Sequence, residues 1–390
     1  MKNVVILGST GSIGENALRV ANALPEEFNI VGLAVNSNIE RLFEQAEQFG
    51  VRTVAVADDV MAERAEELAP SHIKVLKGLD GVTELSAFDD VDLVVCAIVG
   101  MTAIRPVLAA IEKGTDIALA TKETLVAAGH IVKVASESSD SSIIPIDSEH
   151  SAIFQCLARR QDKVSLNRDP ELKKIFLTCS GGPFGMKPEI DLTQVTKAEV
   201  LNHPRWNMGA KVTVDSASLM NKGLELIEAR WLFDLHSDEI DIVVHPESII
   251  HSMVEYVDGS TLAQLSIPDM RYAIQFAMTY PKRLDGKLSG MSLSDIASLN
   301  FYEPDFERFP ALRLAKEAID VSGTLPTVMN ASNEEAVAMF LENRIKFCNI
   351  LEIVEKVMSE HKSVHDLTIE AVFEAEDWAR RRAGEIIVNG

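Results

Sequence analysis

The chain of 390 residues has only four cysteines, Cys96, Cys156, Cys179 and Cys348, and no two are spaced as CxxC or as another ligand pair. That excludes a disulfide scaffold and a thiolate metal cluster and points to free thiols in a reducing compartment. Basic residues are also scarce, 37 Lys and Arg against 59 Asp and Glu, a net charge of -22. Nucleic acid and anionic membrane are thereby disfavoured as main partners. A small anionic substrate is not, because a local Lys or Arg can override the global field. No run is long and apolar enough to span a bilayer. The N-terminus carries one lysine, a short apolar run and then glycines, which reads as a first strand and not a signal peptide. The expectation is a cytoplasmic enzyme, of a length that allows two or three domains.

The strict GxGxxG fingerprint is missing too, but a variant stands where it should. Val4–Leu7 is a short apolar run that suits a buried parallel strand. Gly8, Ser9, Thr10, Gly11, Ser12, Ile13 and Gly14 follow, and then a helical pattern through Leu18 and Val20. The glycines let the backbone turn sharply, and the helix start offers N–H groups to a pyrophosphate. A ligand-free glycine turn would use the same letters. The second strand, Ile30–Val35, ends not in the acidic residue of an NAD site but in Asn36, Ser37 and Asn38. Neutral groups there tolerate a 2′-phosphate and favour NADPH over NADH. Strand patterns follow at Thr53–Val56, Val91–Val95 and Asp116–Ala120, with helical patterns at Met61–Leu68 and Ile104–Ile111, and the chain then reaches Thr121, Lys122 and Glu123. Lys122 is either a substrate or cofactor contact or a surface lysine paired with Glu123.

Ile144–Ile146 then breaks into Asp147, Ser148, Glu149 and His150. On an extended backbone Asp147 and Glu149 face the same side, where two carboxylates invite a cation. A helix start with Asp147 or Ser148 as N-cap is the alternative.

Leu172–Cys179 reads as a strand, and Ser180-Gly181-Gly182 after it as either an oxyanion-binding loop or a tight turn. His203-Pro204-Arg205-Trp206-Asn207-Met208-Gly209 reads as a loop, either an aromatic flap that shuts out water or a segment whose tryptophan packs inward. Asn221, Lys222 and Glu225 fall within about one helical turn. With Ser216 they could hold a phosphate, and Glu225 could add a third carboxylate to the Asp147–Glu149 pair. Three oxygen ligands suit Mg²⁺ or Mn²⁺ better than zinc. The alternative is a Lys222–Glu225 surface pair with Asp215 or Ser216 as a cap. His245 and His251 read either as structural or as supports behind the site's ligands. The strands from 172 to 265 suggest a mixed sheet, 280–299 a polar connector with weak strand signal, and amphipathic patterns beyond Ala311 a helical bundle that braces the site.

In that order these motifs closely resemble the 1-deoxy-D-xylulose 5-phosphate reductoisomerase family, over almost the whole chain. The resemblance implies an α/β protein: a Rossmann-like NADPH domain at 1–148, a central α/β catalytic and dimerisation domain at 149–280 with a flap at 203–213, a linker at 281–310 and a C-terminal helical bundle at 311–390. It implies metal ligands at Asp147, Glu149 and Glu225 for Mn²⁺, Mg²⁺ or Co²⁺. Substrate contacts are implied at Ser148, Glu149, Ser180, His203, Trp206, Ser216, Asn221, Lys222 and Glu225, with Lys122 and His203 among the catalytic groups and Met208 in the flap. NADPH contacts are implied at Gly8, Ser9, Thr10, Gly11, Ser12, Ile13, Asn36, Ser37, Asn38, Lys122, Glu123 and Gly209. The implied reaction isomerises a phosphorylated ketose and then reduces an aldehyde intermediate to give 2-C-methyl-D-erythritol 4-phosphate, for non-mevalonate isoprenoid synthesis, in a homodimer. Two positions depart from the pattern. Thr121 stands where many members have asparagine, and Asn36-Ser37 lacks the basic group that some members place beside the 2′-phosphate. An NADP-dependent aldehyde or homoserine-type dehydrogenase, or a nucleotide sensor without turnover, would share the nucleotide motif but would not need Asp147, Glu149 and Glu225 together.

Overall fold

A computed structural model describes residues 1–157, 164–206 and 208–389. Asn207 of the aromatic loop and the final residue of the 311–390 segment therefore lie outside the described residues. The chain forms two compact units, residues 1–124, 132–166 and 269–290 in the first and 125–131, 167–268 and 291–390 in the second.

The first unit is built on strands β1 (Lys2–Leu7), β2 (Phe28–Val35), β3 (Thr53–Val56), β4 (Lys74–Lys77), β5 (Leu93–Cys96), β6 (Asp116–Leu119) and β7 (Ile143–Pro145). They pair in the order β4-β3-β2-β1-β5-β6-β7, all parallel. Crossovers run through α1 (Ser12–Ala23), α2 (Ile39–Phe49), α3 (Asp59–Leu68), α4 (Gly78–Ser86), α5 (Ile104–Glu112) and α6 (Lys122–Glu137). Strands covered on both faces must be apolar throughout, and Val4, Val5, Ile6 and Leu7 of β1 are completely buried. The winding reverses between β1 and β5, and ligands bind beyond the strand ends at such a reversal. Helix α7 (Ser148–Cys156) follows β7. The extended reading of 147–149 gives way here to the helix start: Asp147 is the N-cap and its side chain accepts from the Glu149 N–H.

The second unit carries a mixed sheet of β8 (Leu172–Cys179), β9 (Ile240–Val244), β10 (Ile250–Tyr256) and β11 (Thr261–Leu265), in the order β11-β10-β8-β9. Only β8 and β9 are parallel. Between β8 and β9 run α8 (Lys197–Val200), α9 (Ala210–Ser218) and α10 (Met220–Phe233). Helix α11 (Arg271–Thr279) returns the chain to the first unit, where Phe154, Phe276 and Tyr280 form one aromatic cluster. The connector after it forms no strand among the described residues, but has a turn of 3-10 helix at Leu293–Asp295 and a single antiparallel bridge from Tyr302 to Val244 of β9. Helices α12 (Ala311–Val321), α13 (Leu325–Leu341), α14 (Phe347–Glu360) and α15 (Ile369–Asn389) make the C-terminal bundle, with α13 packed on the other three. The Thr368 hydroxyl accepts from the Ala371 N–H at 3.1 Å and so caps α15. Among the described residues no helix is long and apolar enough to cross a membrane.

Candidate active site

In the first unit the turn after β1 comes first. Gly8 has φ +86°, and a Cβ on it would stand 2.4 Å from the Ala97 carbonyl oxygen just past β5. Only glycine satisfies both demands. The Gly11 N–H donates to the Gly8 carbonyl at 3.1 Å, and the Glu15 N–H to Gly11 at 2.9 Å, which opens α1. No side chain caps that helix start. Its free N–H groups and the positive end of the helix dipole therefore suit a pyrophosphate. The Ser9 hydroxyl is buried with no hydrogen-bond partner, a donor of the kind that such a ligand would satisfy. Gly11 and Ser12 are exposed beside it, and Thr10 and Ile13 half-buried. Asn36, Ser37 and Asn38 form the exposed turn between β2 and α2. This donor set fits a dinucleotide.

Thr121 opens α6, but its hydroxyl donates to the Ile98 carbonyl beyond β5 and ties the two strand ends together. Lys122 follows, its Nζ 2.7 Å from Asp147 Oδ2, with 13% and 11% of the two side chains exposed. Lys122 is therefore no surface lysine, and Glu123 is itself buried. His150 Nδ1 lies 3.4 Å from the other Asp147 oxygen. Burial alone would push the Asp147 carboxyl up, but the Lys122 charge and His150 outweigh it and hold the group well below the usual carboxylate range. Ser148 donates its hydroxyl to Glu149 one residue further on. The first turn of α7 thus presents two carboxylates, one of them firmly ionised, as hard oxygen donors of the type Mg²⁺ and Mn²⁺ prefer.

In the second unit, Leu219 joins α9 to α10 in the left-handed region, φ 60°. A leucine held there costs roughly 1 kcal/mol or more, so the surrounding packing must over-determine the sharp turn. Just past it, Asn221 and Lys222 both donate to the Glu225 carboxylate. Lys222 and Glu225 are 2% and 1% exposed. They form a buried pair, so the surface-pair alternative fails. Asp215 is no cap either. It is buried, with Asn333 Nδ2 of α13 at 2.8 Å and Lys211 Nζ at 3.0 Å.

The Ser180 loop folds against this helix joint. Gly182 has φ +61°, and a Cβ there would meet the Ser216 carbonyl oxygen at 2.6 Å. The Gly182 N–H donates to Ser180 Oγ at 3.1 Å, and His203 Nε2 lies 3.1 Å from the same oxygen. His203 Nδ1 accepts from the N–H groups of Arg205 and Trp206 at 3.2 and 2.9 Å. The ring proton therefore sits on Nε2 and is donated to Ser180, whose own O–H remains to donate to a ligand. Burial also pushes the His203 pKa down and so keeps the ring neutral. Trp206 is half-buried, its ring centroid 6.4 Å from that of His251. Met208 is half-buried and Gly209 exposed at the start of α9. His245 is structural: Nδ1 donates to the Asn300 carbonyl at 2.8 Å and Nε2 accepts from the Ile249 and Ile250 N–H groups.

Sequence reasoning passed over Asn333 and Arg41. Asn333 sits in a helix expected to show apolar stripes, and the run Asn330-Ala331-Ser332-Asn333, buried throughout, was the available signal. Arg41 lies one turn beyond the Asn36–Asn38 segment and pairs with Glu15 of α1.

Three family models match the chain. 1-Deoxy-D-xylulose 5-phosphate reductoisomerase matches residues 4–129, its C-terminal domain 143–233, and the DXP reductoisomerase C-terminal domain 265–382. The chain is 47% identical to the 1-deoxy-D-xylulose 5-phosphate reductoisomerase of Chlorobaculum tepidum over 388 residues, 99% of this chain and 100% of that protein. It is 45% identical to 1-deoxy-D-xylulose 5-phosphate reductoisomerase 1 of Bacillus cereus, over 100% of this chain and 99% of that one. The solved reductoisomerase of Zymomonas mobilis in complex with NADPH superposes with a TM-score of 0.90 at 38% identity, over 99% of both chains. A DOX-P reductoisomerase in complex with NADPH, fosmidomycin and magnesium gives 0.91 at 34% identity, over 99% of this chain and 98% of that one.

Proposed function

The chain belongs to the 1-deoxy-D-xylulose 5-phosphate reductoisomerase family, and from that premise we propose how its residues divide the work. The enzyme isomerises 1-deoxy-D-xylulose 5-phosphate and reduces the product to 2-C-methyl-D-erythritol 4-phosphate, with NADPH and a divalent cation as cofactors. When bound, the cation supplies Lewis acidity at the substrate oxygens and NADPH supplies the hydride.

Asp147, Glu149 and Glu225 hold the cation in this reading. Lys122 keeps Asp147 ionised for that purpose, and Asn221 and Lys222 orient Glu225. Ser180, Ser216, Asn221 and Lys222 bind the substrate phosphate, with His203 turning the Ser180 hydroxyl outward. Binding energy from this non-reacting group then orients the carbon skeleton. Ser148 and Glu149 contact that skeleton. Trp206 and Met208 exclude water when the loop closes. Gly8 to Ile13 take the pyrophosphate, Asn36 to Asn38 the ribose end, and Lys122, Glu123 and Gly209 the nicotinamide side. The work divides along the chain as cofactor binding in 1–148, catalysis and dimerisation in 149–280 with the flap at 203–213, a linker at 281–310 and a bracing helical domain at 311–390.

A homodimer in the cytoplasm completes the proposal. The free cysteines suit a reducing compartment. The edge strand β11 exposes Thr261, Leu262 and Ala263, and an open edge needs a cover such as a second copy.

The observation that carries the reading is the Asp147–Glu149 carboxylate pair on one helical turn, with Asp147 held ionised, at the end of a nucleotide-binding type of sheet. A simple dehydrogenase or a sensor has no use for it. With Mg²⁺ or Mn²⁺ the purified protein should oxidise NADPH only when 1-deoxy-D-xylulose 5-phosphate is added. Oxidation driven by a simple aldehyde instead would favour the plain oxidoreductase, and NADPH binding without turnover the sensor. Glu225→Gln should keep the fold and NADPH affinity yet lose about 100-fold or more in turnover at limiting metal. Unchanged turnover would remove Glu225 from the metal site.

A further inference from the structure

We propose that Arg41 is the residue by which this chain selects NADPH over NADH, through a contact with the adenosine 2′-phosphate. This rests on the nucleotide reading of the turn after β1 and names the group that reads the far end of the same ligand.

In this kind of fold the adenosine ribose lies at the end of the second strand, where an acidic side chain selects NADH and a nearby arginine accommodates NADPH. Asn36, Ser37 and Asn38 carry no charge, so neither rule is met within the turn itself. The structure places a guanidinium one turn on. The Asn38 side chain caps α2 by accepting from the Arg41 N–H at 3.3 Å, so Arg41 stands in the first turn above the ribose segment. Its side chain folds toward α1. Nε and Nη2 grip the two Glu15 oxygens at 2.7 and 3.0 Å, a bidentate pair.

Glu15 is itself anchored to the pyrophosphate turn. Gln45, completely buried, donates from Nε2 to Glu15 Oε1 at 2.9 Å and to the Ser9 carbonyl at 3.0 Å. The guanidinium is thus fixed relative to the glycine turn by two side chains, Glu15 and Gln45. A flexible surface arginine has no such reference.

A guanidinium has five N–H groups. Glu15 takes two, and Glu44 takes one from Nη1 at 2.8 Å. The remaining two, one on each terminal nitrogen, are left for a phosphate, which the planar guanidinium suits. Glu44 is the weakest of these partners, with 65% of its side chain exposed, and it competes with an incoming dianion for the same cation. Arg64 of α3 is 58% exposed and lies 3.9 Å from Glu40. It is a suitable control.

The test is equilibrium binding of NADPH and NADH to the full-length enzyme, read by nicotinamide fluorescence, with 2′,5′-ADP and ADP as competitors. Arg41→Gln should weaken NADPH and 2′,5′-ADP by about 30-fold and leave NADH and ADP within about twofold. Arg41→Lys, which keeps the charge but loses the fork, should fall between. Glu44→Gln should tighten NADPH about threefold without affecting NADH, and Arg64→Gln should change neither. Equal weakening of both dinucleotides by Arg41→Gln would make Arg41 a mere brace for Glu15 and overturn the proposal, as would no change in either. Should Arg41→Gln misfold, Arg41→Lys and Glu44→Gln still decide, because only a 2′-phosphate contact makes them act on NADPH alone. Failure of the native enzyme to bind either dinucleotide would instead sink the underlying nucleotide reading.

Discussion

Lys122 Nζ and Asp147 Oδ2 lie 2.7 Å apart with both side chains nearly out of water, and each stands at the start of a helix that follows a strand of the same sheet. The strands that launch them, β6 and β7, are neighbours. The pair therefore follows directly from the strand order. Asp147 is ionised because Lys122 is there, and an ionised, largely buried carboxylate is what a hard cation needs.

The first prediction removes the lysine. Lys122→Met keeps the length of the stem but leaves Asp147 without its counter-charge, and breaking such a pair costs about 3 kcal/mol. A bound divalent cation can supply the missing charge. Chemical denaturation of Lys122→Met in EDTA should show most of that loss, and millimolar Mg²⁺ should restore about half or more. An equal loss with and without Mg²⁺ would separate Asp147 from any metal site.

Much of the fold was legible because parallel strands buried on both faces leave an unbroken apolar signature, as in Val4–Leu7 and Leu93–Cys96. Strand β4 escaped notice because it is the sheet's edge, where Lys74 and Lys77 flank only two apolar residues. Helix α11 belongs to the first unit although some 100 residues separate it from the rest, and no local pattern reports that. Asn221, Lys222 and Glu225 were legible as a group because helical spacing is a local property. The partnership of Asp215 with Asn333 was not, since it joins α9 to α13 across 118 residues. At 147–149 the two-residue spacing suggested an extended backbone, but a carboxylate able to cap its own following N–H groups favoured the helix.

The second prediction concerns Ser180 and His203. His203 donates to Ser180 while its other ring nitrogen accepts from two backbone N–H groups, so the ring both orients the serine and is oriented by the loop. His203→Ala frees the Ser180 hydroxyl to rotate and loosens the loop. The KM for the sugar phosphate should rise about tenfold, the worth of roughly one hydrogen bond to a charged group, with NADPH affinity unchanged. Steady-state kinetics with a separate NADPH titration checks this. A matching loss of NADPH affinity would point to general unfolding of the loop instead.

The third prediction is a pH dependence of stability carried by His251. Burial pushes its pKa down to about 4, opposed by the Ser266 carbonyl, which accepts from Nε2 at 3.2 Å, and helped by the nearby Lys222 charge. In the unfolded chain the same ring titrates near its ordinary value of about 6.5. Above that pH both states are neutral and the folded state keeps its full advantage. As pH falls from about 6.5 toward 4, the unfolded state takes up a proton that the folded state refuses, and stability drops. Below about 4 both are charged and the drop ends. Over this window the loss is about 3 kcal/mol, of which roughly 2.5 kcal/mol should be gone by pH 4.5. His251→Gln keeps a donor for Ser266 but cannot titrate. Urea denaturation of both proteins at pH 7 and pH 4.5 cancels the carboxylates they share, so the native protein should lose roughly 2.5 kcal/mol more than the variant. Parallel losses would mean that His251 accepts its proton while folded, and that the site around Trp206 and Lys222 is wetter than its burial implies.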